Sequence, residues 1–228
     1  MIISDQFYEE WDECNIWDPG VNDPTLDDLL DLLKLVDEAP DERPIQKLLE
    51  ARPRLWLGTQ RTGHGTWVFP QKRLGSEFIP DFLIASGSSG GLFWELVEIE
   101  SPTATPFLKN GEQSAKLRTA VSQIEDWRNW LTNNITYARN PKKLDGLGLE
   151  SIHPRSSGKI IIGRRTNFPN KYNTVRQSLW HDKHITVMSY DRFLEQIAFG
   201  IFRGQTRDEM TAIIHNLRQK KFDEKFSL

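Results

Sequence analysis

Cysteine is nearly absent from this sequence, since Cys14 is the single one among 228 residues. A lone cysteine excludes an intramolecular disulfide framework and a cysteine-based zinc cage. Long apolar runs are also missing, and no stretch approaches the ~18 residues that a membrane-spanning helix needs. The first residues, MIISDQFYEEWDE, are acidic and lack the basic and then apolar pattern of a secretory signal. We therefore expect a cytoplasmic protein without membrane association.

What the chain does contain is compatible with a folded domain. Hydrophobic residues make up 38% of the sequence and charged residues 27%. These proportions allow a packed core and argue against wholesale disorder. The length suits one large domain, or one domain with a small appendage.

Charge is distributed unevenly along the chain. Residues 1–42 carry 14 acidic side chains and one basic one, Lys34, for a net charge of −13. Residues 43–228 carry 18 acidic and 28 basic side chains, for a net charge of +10. A basic body favours a polyanionic partner, because each neutralised phosphate releases counterions, although such a surface can also simply aid solubility. We predict an acidic N-terminal extension over 1–42, either folded back on the body or solvated, and a main domain over 43–228.

Hydrophobic periodicity predicts helices and strands in a mixed order. Two helices, starting near Asp23-Pro24 and Pro44, precede three strands, and the Gly/Ser loop 86–91 joins the second and third strands as a hairpin. The predicted strands are 65–70, 77–85, 92–100, 159–163 and 184–189, and the later helices are 112–133, 173–180, 190–203 and 208–221. This order predicts an α/β or α+β fold with a central mixed β-sheet flanked by helices.

Three carboxylates fall within the predicted hairpin. Glu98 and Glu100 are two residues apart on one strand, so their side chains point to one face of the sheet. Asp81, on the preceding strand, can lie beside that face. Like charges gathered among apolar residues repel one another, and a divalent cation such as Mg²⁺ or Mn²⁺ removes the conflict. The alternative is a solvated strand face with alternating glutamates.

Such a cluster can hydrolyse a phosphodiester. The reaction needs a positioned water and neutralisation of the charge that develops on the phosphate. Asp81, Glu98 and a bound ion would provide a Lewis acid, and Glu100 is a candidate to accept the proton of the water.

Several motifs in this region resemble a known nuclease superfamily. Pro80-Asp81 followed by Glu98-Ile99-Glu100 resembles the signature of the PD-(D/E)XK nucleases. The helix that ends near Glu50, the segment Arg73-Leu74-Gly75 and the helix 120–127 extend the pattern. Over about residues 42–200, these motifs are together similar to the nuclease domain of the Shedu anti-phage defence proteins.

The resemblance implies a restriction-endonuclease-like core and a role for each matching residue. Asp81 and Glu98 would be the principal metal ligands. Glu50 would match the helix glutamate that helps to hold the metal or its water. Gln123 would match the glutamine of the helix after the sheet, and Trp127 stands where the family usually has tyrosine.

The sequence departs from the superfamily at residue 100, where lysine is usual and this chain has Glu100. Some restriction endonucleases are similar in carrying glutamate there, as a base or an extra ligand. Lys116 lies seven residues before Gln123 on the same helix face, so it is our preferred substitute for the lysine. Lys109, in a loop, is a weaker one. Without either lysine the site would be slow, altered or inactive.

The similarity to Shedu proteins implies a metal-dependent DNA endonuclease that acts in anti-phage defence as a homo-oligomer. Contacts to the DNA backbone would dominate, so sequence specificity should be low. Two alternatives remain: a catalytically impaired nucleic-acid-binding module of the same fold, and an oligomerising interaction protein. The residues that we predict to contact phosphates are Lys72, Arg73, Lys116, Arg164 and Arg165. For the last two, ordinary charges at a strand end are an equally good interpretation.

Overall fold

A five-stranded mixed sheet forms the centre of the computed structural model, which describes residues 7, 11, 23–58, 64–168, 172–202 and 205–226. The first three strands pair antiparallel, and the last two add in parallel to the third. The strands lie in sequence order across the sheet: β1 (Thr66–Pro70), β2 (Phe82–Ser88), β3 (Gly91–Ile99), β4 (Ser157–Ile161) and β5 (Ile185–Met188).

Helices flank the sheet, which confirms the predicted mixed α/β architecture with a central mixed sheet. They are α1 (Leu26–Glu38), α2 (Arg43–Ala51), α3 (Ala115–Asn133), α4 (Ile135–Arg139), α5 (Asn173–Lys183), α6 (Tyr190–Ile201) and α7 (Arg207–Phe226), with short 3-10 helices at Pro53–Gly58, Lys142–Leu144 and Arg165–Asn167. Within the described ranges, no helix has both the length and the apolar character needed to cross a membrane.

Alternation along the strands creates two hydrophobic layers. On β2, Leu83 and Ala85 belong to the layer that contains the buried face of α3. Phe82 and Ile84 point the other way, into the layer that contains α1, α2 and α6. Burial of each large apolar side chain contributes roughly 1.5–3 kcal/mol, so both layers stabilise the sheet between them.

The acidic helix α1 packs on the rest of the chain. Its first turn is fixed by a capping box, in which the Thr25 and Asp28 side chains accept each other's backbone N–H groups. The helix therefore begins after Thr25 and not at Asp23-Pro24 as predicted. Leu29 and Leu33 are buried in the same core as α2 and α6. Of the two possibilities for the acidic segment, folding back on the body therefore holds for α1, whereas the domain division at residue 42 stays a prediction.

The predicted boundaries of the second strand, 77–85, are wrong at both ends. β2 begins only at Phe82, because Pro80 has no N–H for the ladder and the chain before it makes a tight turn closed by a bridge between Leu74 and Phe78. The strand then runs on to Ser88, which leaves a much shorter turn than the predicted loop 86–91. Asp81 consequently lies just before β2 and not in the middle of a strand.

The long helix α3 begins at Ala115, three residues later than predicted. Ser114 precedes it in an extended conformation, and its side chain accepts the N–H of Leu117. This cap satisfies one of the free donors of the first turn and fixes the start of the helix. The cap also determines where Lys116 lies, because this residue is in the first turn.

Candidate active site

Asp81 and Glu98 lie opposite each other across the β2–β3 hairpin. The last residues paired in the hairpin are Phe82 and Val97, so the next step of the same register places Asp81 opposite Glu98. Residues in this relation point to the same face, with Cβ atoms about 5 Å apart. The alternation of β2 and β3 places that face under α3. The two carboxyl groups therefore meet between the sheet and α3.

Hydrogen bonds from both neighbouring strands hold the Asp81 carboxylate. Its Oδ2 accepts the N–H of Ile99 at 2.9 Å, and its Oδ1 accepts Nε2 of Gln71 at 3.3 Å. Burial is the main cause that raises the pKa of Asp81, to about 6, while the two hydrogen bonds oppose the rise and the charges of Glu42 and Glu100 add to it. Asp81 is thus fixed in place but destabilised as an anion.

Glu98 is the most strongly perturbed carboxyl group of the site. It is 7% exposed and shares a side-chain hydrogen bond with Gln123 of α3. Burial, followed by the negative charges of Asp81 and Glu100, raises its pKa from 4.5 to about 9, and the bond to Gln123 lowers it only in part. At neutral pH Glu98 therefore keeps a proton unless positive charge is brought close to it.

Glu100 completes the acidic cluster, which we define as Asp81, Glu98 and Glu100. Its Oε2 accepts a hydrogen bond from Nζ of Lys116 at 3.0 Å, and this salt bridge raises the pKa of Lys116. The Lys116 side chain is 59% exposed and that of Glu100 only 8%. Lys116 and Gln123 thus reach the cluster from one face of α3, with the ammonium group at its solvent side.

Glu42, which sequence reasoning did not single out, adds a further carboxylate charge near the cluster, whereas the role predicted for Glu50 stays a prediction. Glu42 is the N-terminal cap residue of α2, and its charge raises the pKa of both Asp81 and Glu98. Glu50 lies eight residues further, about 12 Å along the helix axis, where its Oε1 accepts Nε2 of Gln46 at 3.1 Å. The helix-start pattern of Arg43-Pro44 was the signal that could have directed attention to the residue before it.

Tyr190 is a second residue that sequence reasoning missed. It is fully buried at the start of α6, and its hydroxyl group donates to the carbonyl oxygen of Glu100 at 2.8 Å. Burial first, and then the nearby carboxylates, raise the pKa of Tyr190 well above its ordinary value. The hydroxyl is therefore a permanent donor that fixes the backbone of Glu100. A tyrosine at the apolar start of a helix gives no sequence signal for such a role.

Comparison with known families places this cluster in context. Residues 39–194 match the family model described as Shedu protein SduA, C-terminal. The chain belongs to this family. The matched range contains all of the residues that form the acidic cluster and its contacts, from Glu42 to Tyr190. Membership suggests a role in anti-phage defence. No curated protein matches the chain.

The loop after β1 brings two of the predicted phosphate contacts to the edge of the Shedu-family site. Lys72 and Arg73 directly follow Gln71, whose side chain and backbone N–H both donate to Asp81. Arg73 is exposed and Lys72 is partly exposed. The backbone of this pair thus lies one and two residues from a direct contact of Asp81.

The other predicted pair, Arg164 and Arg165, is engaged within the chain. The Arg164 guanidinium group donates to Asp191 at 2.8 Å and to Asp37 at 2.7 Å. Arg165 forms a salt bridge with the buried Glu195. These intramolecular partners would compete with a phosphate for both arginines, and their contact with DNA stays a prediction.

The carboxyl groups of the acidic cluster are potential ligands of a metal ion. Among the residues that the structure describes, no three His, Cys, Asp or Glu side chains are arranged as a preformed metal site. Mg²⁺, however, commonly uses one or two protein carboxylates and completes its shell with waters and substrate phosphates. Asp81 and Glu98 offer two hard, desolvated oxygen donors with excess negative charge. The donor set therefore fits Mg²⁺ or Mn²⁺ held by two carboxylates.

Proposed function

We propose that this Shedu-family chain is a metal-dependent DNA endonuclease of the PD-(D/E)XK type that acts in anti-phage defence. The observation that carries the proposal is the convergence of the acidic cluster with Lys116 and Gln123 between the β2–β3 hairpin and α3. The mixed sheet with a long helix over this hairpin agrees with a restriction-endonuclease-like core.

Asp81 and Glu98 are the proposed ligands of Mg²⁺ or Mn²⁺. The bound ion would act as a Lewis acid toward the scissile phosphate and lower the pKa of a bound water. Glu98 must lose its proton to bind a cation, so metal affinity should rise with pH. Gln123 donates to Glu98 and orients its carboxyl group.

Lys116 supplies the positive charge that the superfamily normally takes from residue 100. Its contact with Glu100 aims the ammonium group at the cluster, and its exposure lets it donate to a phosphate oxygen as negative charge develops there. Glu100 has a second carboxylate oxygen that can accept the proton of the attacking water. Tyr190 holds the backbone of Glu100 and so fixes the position of Glu100 and Lys116 relative to the rest of the cluster.

The proposed DNA surface consists of Lys72, Arg73 and Lys116 around the mouth of the cluster. All three would contact phosphates, which carry no sequence information, so cleavage should show low sequence specificity. Binding should weaken steeply as salt concentration rises, because each phosphate contact releases counterions.

Plasmid nicking in Mg²⁺ or Mn²⁺ tests the proposal. We expect cleavage by the wild-type chain that EDTA abolishes, and a loss of at least about 100-fold in Glu98→Gln, which keeps the shape of the side chain but not its charge. The matched control is Glu125→Gln, which makes the same chemical change on α3. Glu125 is 41% exposed, forms a salt bridge with Lys183 and lies outside the cluster. This control should cleave like the wild type.

Glu100 at the usual lysine position favours one second candidate, a DNA-binding module of the same fold that does not cleave. Salt-sensitive DNA binding without cleavage in either metal would establish this candidate and reject the nuclease. Absence of both binding and cleavage would reject both and leave an interaction protein.

A further inference from the structure

A pocket lies at the opposite end of β3 from the acidic cluster. It has a volume of about 350 Å³ and is lined by the start of β3, the segment that leads into β4 and the end of α5. Phe93 in its wall is five residues from Glu98 on the same strand, which is about 17 Å along β3. The pocket is therefore a separate place on the protein.

Two exposed aromatic rings line this pocket. Phe93 is 58% exposed and Trp180 is 48% exposed. The edge of His184 supports the Trp180 ring, with ring centroids 6.2 Å apart and an interplanar angle of 88°. Exposed rings of this kind offer flat faces on which a planar heterocycle can stack.

The polar side chains of the pocket favour an anion. They are hydroxyl, imidazole and guanidinium groups, and among the described residues that line the pocket none is a carboxylate: Ser151, His153, Arg155, Ser156, Ser157 and His184. Arg155 is exposed, so its guanidinium group can reach a phosphate, whose geometry it matches with two parallel hydrogen bonds. A ligand with both a flat ring and a negative charge would use both kinds of surface.

The floor of the pocket is rigid. Arg128 of α3 donates to the carbonyl oxygens of Ser156 at 2.7 Å, Lys183 at 2.6 Å and His184 at 3.3 Å. These bonds tie the backbone before β4 to the backbone before β5. A ligand therefore meets a preformed surface and does not have to order it, which favours affinity.

We propose that this pocket binds a nucleotide, with the base stacked on the Trp180 or Phe93 ring and the phosphate held by Arg155. A free nucleoside phosphate and a nucleotide unit of a single strand present the same chemistry to these residues. The site goes beyond the proposed nuclease function, because it contains none of the residues of the acidic cluster.

Calorimetry and tryptophan fluorescence with AMP and GMP test the proposal in EDTA, where metal-dependent contacts cannot contribute. We expect each nucleotide to quench fluorescence and to bind at least about 10-fold more tightly than adenosine or inorganic phosphate alone. Trp180→Ala and Arg155→Ala should each weaken binding by about 10-fold or more, and Trp180→Phe should retain most of it. The matched controls are Phe199→Ala and Arg43→Ala, since both side chains are exposed and lie outside the pocket. Circular dichroism verifies that each variant is folded.

Further measurements identify the source of the nucleotide and separate this proposal from the nuclease. Tighter binding of a short single-stranded oligonucleotide than of AMP indicates a strand, and the reverse indicates a free nucleotide; both support the site. Nucleotide binding should persist in Glu98→Gln whether or not the wild type cuts DNA. No binding at millimolar nucleotide, equal affinity for inorganic phosphate, or affinity that neither pocket variant changes would overturn the proposal.

Discussion

Two clusters of carboxylates differ in how their charge is balanced. One is the ionic clamp, which we define as Asp37, Arg164, Asp191 and Arg218, where two guanidinium groups meet two carboxylates. The other is the acidic cluster, where three carboxyl groups meet the ammonium group of Lys116. The clamp joins α1, the segment after β4, α6 and α7, whereas the acidic cluster lies between the β2–β3 hairpin and α3, with Lys116 at its solvent side.

Because the two clusters differ in their ratio of cations to carboxylates, the pKa values of their carboxyl groups shift in opposite directions. In the clamp, burial would raise the pKa of Asp191, but the hydrogen bonds and charge of Arg164 lower it to about 2. In the acidic cluster, burial and like charge both raise the pKa of Glu98, to about 9. A buried carboxylate with enough cations holds elements together, and one with too few marks a place that favours an external cation.

The largest expected effect comes from removal of the ammonium group at the acidic cluster. Lys116→Met should reduce the DNA cleavage rate by about 100-fold, because a donor to the developing phosphate charge is lost. The matched variant is Lys183→Met, which removes a lysine from a salt bridge with Glu125 and should leave the rate unchanged. Single-turnover cleavage kinetics measure both. Equal rates for the two variants would contradict the role given to Lys116.

The two clusters should also differ in their contribution to the stability of the fold. Asp191→Asn should lower the free energy of unfolding by about 2 kcal/mol, because Arg164 and Arg218 lose a charged acceptor. Glu98→Gln should leave the stability unchanged or raise it, because Glu98 must take up a proton on folding at neutral pH and glutamine has no such cost. Urea denaturation of the metal-free variants gives both values. If Glu98→Gln is the less stable of the two, the contrast between the clusters is wrong.

The two clusters should also make the stability depend on pH, in opposite directions and in different pH ranges. The folded chain binds more protons than the unfolded one at Glu98 between pH 4.5 and about 9, so this residue makes stability fall as the pH rises through that range. Asp191, whose pKa falls from 3.8 to about 2, makes stability fall as the pH drops from about 4 to 2. The Asp191 effect should amount to about 2 kcal/mol. The Glu98 effect should be the larger of the two, because the pKa of Glu98 shifts further from its ordinary value.

Unfolding free energies of the metal-free chain across pH 2–9 measure these effects. Glu98→Gln should flatten the alkaline slope and leave the acid slope intact, and Asp191→Asn should do the reverse. If either variant changes both slopes, or only the slope assigned to the other residue, the assignment of these pH ranges to Glu98 and Asp191 is wrong.

The smallest expected effect is that of Tyr190→Phe. This change removes the hydrogen bond from the hydroxyl group to the Glu100 carbonyl and should cost about 1 kcal/mol of stability. If Tyr190 positions Glu100, kcat for DNA cleavage should also drop by a few-fold with KM unchanged. Tyr172→Phe is the matched control, since Tyr172 lies in another part of the core, against Phe107 and Phe168. A fall in stability alone would limit Tyr190 to a structural role.

Local relations in the site were accessible from the sequence. The proximity of Asp81 to Glu98 follows from a hairpin, whose register depends on a short turn and on alternating residues. The seven-residue spacing of Lys116 and Gln123 places both on one helix face. The mixed sheet likewise follows from the order of the elements and needs no knowledge of distant contacts.

Contacts between elements that are far apart in the chain could not be predicted from the sequence. Glu42 acts on the cluster only because of the orientation in which α2 packs on the sheet. Helix periodicity does not predict that orientation. The partners of Arg164 come from α1 and α6, which are distant in sequence. The start of β2 was misjudged because the apolar residues before Pro80 have a strand-like composition, while proline prevents the ladder.

The bond from the Ile99 N–H to Asp81 has a consequence for how activity would arise during folding. This bond and the opposition of Asp81 to Glu98 exist only in one register of the hairpin, and a slip by one residue would turn the strand's side chains to the opposite face. A newly made or misregistered copy would therefore have its two acids apart. If the chain cuts DNA as proposed, cleavage would require the correct register of this hairpin, so misregistered copies would be harmless to the genome of their host.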